Sequence, residues 1–125
     1  MAKWVVRMPP EVRTWLHGLR ATDRRTLAMI AAAIDHVVGG KGPAEGRPLV
    51  DRIKGSKIHN LKELRPASSG ATEVRVLFVF DEEQRMVLLA GGDKAGDWER
   101  WYDTAIPLAE VRYGEHLDQV HQRAG

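Results

Sequence analysis

The chain has 125 residues, 43% of them hydrophobic and 29% charged, with a formal net charge of +2 and no cysteine. That is enough sequence to bury a packed core unaided, so residues 1–125 are read as one domain. The missing cysteines exclude a disulfide scaffold, thiolate metal sites and a cysteine nucleophile, and the chain has neither the ~18 apolar residues of a membrane span nor a secretory leader pattern, which places it in the cytoplasm.

In chain order, Lys3 to Met8 carries Trp4, Val5 and Val6 and reads as a short edge strand ended by Pro9 and Pro10. A proline followed by Glu11 suits the first turn of a helix, and Val12, Trp15, Leu16 and Leu19 mark one face of it. Thr22 or Asp23 caps a second helix, in which Leu27, Ile30, Ala31, Ile34, Val37 and Val38 recur at helical spacing until Gly39 and Gly40 stop it. Gly39 to Pro48 is an exposed connection rich in Gly and Pro.

Three strands follow: Lys57 to Arg65, Glu73 to Phe80 and Met86 to Ala90, the last two forming a hairpin. Their near-continuous apolar character calls for cover on their faces, supplied by the two N-terminal helices. Trp98, Trp101 and Tyr102 stand at helical spacing, and Pro107 starts a final helix through Ala109, Tyr113, Leu117 and Val120. The sum is an α+β domain, a small antiparallel or mixed sheet packed against two N-terminal helices with a C-terminal helical segment.

Charge is unevenly spread. From Arg47 to Arg65 six basic residues face two acidic ones, and from Asp97 to Asp118 the ratio is reversed. The five histidines form no HxxxH or HExxH pair, so no metal is expected, and no phosphate-binding or serine-nucleophile motif is present. What remains is a set of cations on and beside the strands: Lys54, Lys57, His59, Lys62, Arg65, Arg75 and Lys94. Together they could converge on one phosphate. Taken singly they have ordinary roles, with Arg65 paired to Glu63 or Glu73, Arg75 snorkelling to the sheet margin and Lys94 on a turn surface. Trp98, Trp101 and Tyr102 either stack on unpaired bases or anchor a helix. His59 could act as a general base.

The order of elements and the phrases IHNLKELR, EVRVLFVFD, VLLAGGDK and IPLAEVRYGEHL resemble the RelE/ParE superfamily of type II toxin–antitoxin toxins, in its Gp49-like or HigB-like branch. The resemblance implies a RelE-like fold and a ribosome-dependent, metal-independent endoribonuclease that needs no cofactor. It also implies mRNA and the ribosome as targets and a helix-turn-helix antitoxin as partner, with no membrane. In that chemistry the ribose 2′-OH attacks the adjacent phosphate and cations stabilise the developing charge. By position the resemblance assigns catalytic roles to Arg65, Arg75, Lys57, His59 and Lys94, and substrate binding to Lys54, Lys62, Trp98 and Tyr102. The branch's usual G-F-x-K-K run is replaced here by GGDKAGDW, with Asp93 where a basic residue is expected. The alternatives are a ParE-like, non-catalytic inhibitor of DNA gyrase, for which the strand cations are expendable, and a degenerate member kept for antitoxin binding.

Overall fold

The structure is a computed structural model that describes residues 4–67 and 72–124. Strand β1 (Val5–Arg7) leads into helices α1 (Pro10–Thr22) and α2 (Arg24–Gly39). Strands β2 (Val50–Arg52), β3 (Lys62–Leu64), β4 (Val74–Phe80) and β5 (Arg85–Asp93) follow, and helix α3 (Trp98–Ala124) closes the domain. The sheet order is β1-β5-β4-β3-β2, antiparallel except for β1 beside β5.

Alternation along β4 divides the core. Val74, Val76, Phe78 and Phe80 face α1 and α2, joined by Leu64, Met86 and Leu88. Leu77 and Val79 face the other way, with Val87 and Leu89, against Ala105 and Ala109 of α3. A register shift between Leu77 and Phe78 leaves Leu89 as the extra residue on β5, so Leu89 and Ala90 both serve the α3 side. The N-terminal helices therefore cover one face of the sheet and α3 the other, which is why β4 is buried along its whole length.

The second helix begins where expected, with the Asp23 carboxylate accepting the Thr26 N–H at 3.1 Å and the Thr26 hydroxyl at 2.6 Å. Three expectations need correction. The strand expected over Lys57 to Arg65 shrinks to β3, because the Ser56 hydroxyl takes the Ile58 N–H and Glu110 takes the Lys57 N–H, holding residues 57–60 in a turn. β2, unforeseen, is a three-residue edge held by its pairing with β3. Pro107 does not start a helix but lies inside α3; its lost hydrogen bond falls between Ala105 and Ala109, both buried against the sheet, and that packing carries the helix through.

Polar tethers fix α3 to the sheet side. Glu110 accepts from Lys57 N–H and from the Ser56 hydroxyl, Arg112 donates to the Leu89 carbonyl at 2.8 Å, and His116 Nε2 lies 3.0 Å from Asp81. Asp81 also receives the Arg85 Nε–H at 2.6 Å. Burial alone would raise the Asp81 carboxyl, but its hydrogen bonds with His116, Arg85 and Glu83 outweigh that and hold it below the usual range. A carboxyl lowered on folding stabilises the native state at pH values above its unfolded pKa, near 3.8, and that contribution fades as pH falls through the folded value. Below about pH 4 the wild type is expected to lose stability faster than Asp81→Asn, in urea denaturation followed across pH. Parallel curves would show that Asp81 does not tether α3.

Candidate functional site

Strands β2, β3 and β4 and the first turns of α3 meet at one end of the α3 side. Arg75, the second residue of β4, lies opposite Gly92 of β5. Because Gly92 has no side chain, α3 approaches so closely that a Cβ there would lie 2.5 Å from the Trp101 indole nitrogen. Glu63, in the middle of β3, stands on the same face, with Asp51 and Leu77 as its register partners.

The inner layer of the site is Arg75, Glu63 and Tyr102. Arg75 Nε lies 3.6 Å from Glu63 Oε1, with both side chains less than a tenth exposed. The contact is an ion pair without hydrogen-bond geometry, for Nε has no hydrogen-bond partner while Nη1 donates to the Val74 carbonyl at 2.8 Å. The Tyr102 hydroxyl donates to the same Glu63 oxygen. Burial, reinforced by that bond and by the Glu63 charge, pushes the Tyr102 phenol far above its usual value, against smaller opposing effects of Arg75 and Arg65. The phenol therefore stays a proton donor across the physiological range. Lys94 Nζ sits 5.6 Å from the centre of the Tyr102 ring, and Trp101 meets that ring edge-on at 5.0 Å.

The outer layer is more open. Arg65 Nη1 is 4.0 Å from Asp51, and Arg47 is bonded to the same carboxylate at 2.9 Å. That bond, with the Arg52 N–H and the charges of Arg47 and Arg65, outweighs burial and holds the Asp51 carboxyl below its ordinary value. A groove of about 630 Å³ opens over Tyr102 and Ile106, with Arg47, Arg52 and Lys54 in its wall and Asp51 as the acid among them. Cations at the mouth, a half-buried phenol on the floor and a carboxylate–guanidinium pair behind it suit a phosphodiester drawn in by charge. At 7% exposure, Arg75 reaches such a group only once Tyr102 moves aside.

Of the residues singled out in the sequence, Arg75, Tyr102, Lys94 and Arg65 come together, and Lys54 joins them at the groove. Lys62 does not belong: it points to the α1/α2 side, where Nζ donates to the Pro43 carbonyl at 2.8 Å and lies 5.4 Å from the Phe80 ring. Burial, with the nearby Arg52 charge, lowers its ammonium. Lys57 and His59 stand exposed on the turn that Glu110 ties to α3. Trp101 packs on Gly92 as a helix anchor, whereas the Trp98 side chain lies outside the described residues. Glu63 is the site residue that sequence reasoning took only as a partner for Arg65. Two positions from Arg65, it shares that residue's parity in an extended chain, the one available signal.

A family model described as phage-derived protein Gp49-like matches residues 15–114. Two proteins of Mycobacterium tuberculosis are similar. "Putative toxin HigB2" is 48% identical over 108 residues, covering 86% of this chain and 52% of that protein. "Putative toxin HigB3" is 45% identical over 112 residues, covering 90% of this chain and 92% of that protein. The chain thus spans about half the length of the first relative and nearly all of the second. No solved structure matches.

Proposed function

The chain belongs to the phage-derived Gp49-like family, with HigB proteins among its relatives, and on that basis we propose that it is the toxin of a type II toxin–antitoxin pair that cleaves mRNA on the ribosome. The observation that carries the reading is the Arg75–Glu63–Tyr102 cluster behind a cation-walled groove. A phosphodiester entering over Tyr102 meets Arg47, Arg65 and Lys54 first, by charge. Displacement of the phenol then frees Glu63 to take the proton of the attacking ribose 2′-OH. As the 2′-oxygen bonds to phosphorus and the bond from phosphorus to the 5′-oxygen breaks, Arg75 and Lys94 offset the charge on the phosphoryl oxygens. The partner is the cognate antitoxin, a helix-turn-helix protein.

In a translation extract the wild type is expected to create new 5′ ends within codons. Arg75→Lys keeps the charge but loses the fork, and a missing preorganised donor typically costs about 10²–10³ in rate. Combining it with Arg65→Ala should lower cleavage by at least that much, with an unchanged thermal melt. Full cleavage by the folded double variant would remove the site. The burial of Arg75 favours a second reading, in which the cluster is structural and the chain inhibits gyrase or only binds its antitoxin. Gyrase trapped on cleaved supercoiled DNA, without mRNA cleavage, is the result that supports the gyrase form.

A further inference from the structure

β1 covers the outer edge of β5 only at Arg85–Val87, and among the described residues no strand lies along β5 beyond that. An uncovered strand edge presents backbone N–H and C=O groups that only another extended chain can pair in series. One of these outward groups, the Leu89 carbonyl, is taken by the Arg112 guanidinium from α3. Two cavities flank this edge. One of about 300 Å³ is floored by Ala90 and Gly91 and walled by Trp15, Trp101 and Leu108. The other, of about 400 Å³, has Val87 and Leu89 at its base and Arg7, Arg112 and Arg123 among its walls. Glu11 and Arg112 line both, so the two form one groove between α1 and α3.

The surroundings of the groove are unusual for a free surface. The large apolar residues that stand exposed among the described ones are Val5 at 46%, Leu108 at 41% and Val111 at 62%. Val5 belongs to the strand beside the groove, Leu108 lines it, and Val111 follows one turn along the same helix. Apolar surface is thus concentrated at the open strand edge.

We propose that this groove is the docking site for an extended, acidic peptide segment of a partner protein, added as a strand along Leu88–Gly92. The strand edge selects an extended backbone, and the Trp15–Trp101–Leu108 cavity accepts one bulky apolar side chain. Arg7, Arg112 and Arg123 outnumber Glu11 and Glu115 at the other end and match acidic side chains, while those two carboxylates disfavour a continuous polyanion such as RNA. The inference does not rest on the nuclease reading, since neither Arg75 nor Glu63 lines the groove.

The test is to pan a displayed library of short random peptides on the full chain and to map the best binder by amide hydrogen exchange. Enriched peptides should combine a bulky apolar residue with several acidic ones and protect Leu88–Gly92. They should lose about tenfold or more in affinity on Leu108→Glu and on Arg123→Glu, both solvent-facing changes that leave the thermal melt in place. Binders indifferent to both changes, protection elsewhere or no enrichment would overturn the proposal. So would protection of the same edge by single-stranded RNA, or by a second copy of the chain at raised concentration.

Discussion

Replacing Arg75 by methionine is expected to cost about 3–5 kcal/mol of folding stability, read from urea denaturation. Glu63 is 6% exposed and Arg75 is its ion-pair partner, so the single change strands a carboxylate between the sheet and α3. The net worth of the pair is much smaller, because both charges lost their hydration to reach that position. A triple variant, Arg75→Met with Glu63→Leu and Tyr102→Phe, removes the charges and the hydroxyl that bonds to them, and should recover most of the loss. If Arg75→Met alone is as stable as the wild type, then Glu63 is not buried as a carboxylate, and the inner layer of the site is misdescribed.

The other large effect is expected at Gly91. On the α1 side of β5, a Cβ at this position would fall 2.2 Å from the Trp15 ring, nearer than atoms can pack, and the ring is wedged between strand and helix. Gly91→Ala should therefore destabilise by about 1–3 kcal/mol, although alanine is normally no worse than glycine in a strand. Trp15→Leu in the same chain should make the alanine nearly neutral, a coupling that a double-mutant cycle reads directly. Gly92 repeats the arrangement on the opposite face with Trp101, so consecutive glycines let two tryptophans seat helices on both sides of one strand. Equal stability of Gly91→Ala and wild type would mean that α1 is not held at that point.

Much of the fold was legible because its signals are local. Asp23, the apolar spacing from Leu27 to Val38 and the Gly39–Gly40 stop define α2 without reference to anything distant. Val74 to Phe80 declares a strand buried on both faces. Which helix covers which face was less accessible, since the alternation of Phe78 and Leu77 separates two sides without naming their occupants. β2 has three residues and exists through its ladder with β3, and Pro107 is a helix-start signal that the packing of Ala105 and Ala109 overrides.

The site was half legible for the same reason. Arg75 stood out as a charge within an apolar strand. Its partner could not be named, because register sets Glu63 across from Leu77 and a helix start 39 residues further along brings Tyr102 onto it. Parity would have removed Lys62, which alternates with Glu63 and so belongs to the opposite face. The acidic balance from Asp97 to Asp118 also has a structural use, since Glu110 of that segment ties α3 to the turn at Lys57.

The central claim is that Glu63 and Arg75 act on RNA rather than only on each other. The most direct measurement is the single-turnover rate at which ribosome-bound mRNA acquires new 5′ ends with wild type and Glu63→Gln, each checked for an intact melt. Glutamine preserves shape and can still accept the Tyr102 hydroxyl but cannot take a proton from the ribose, so the rate should fall by about 10²-fold or more. Cleavage by folded Glu63→Gln at the wild-type rate would contradict the account.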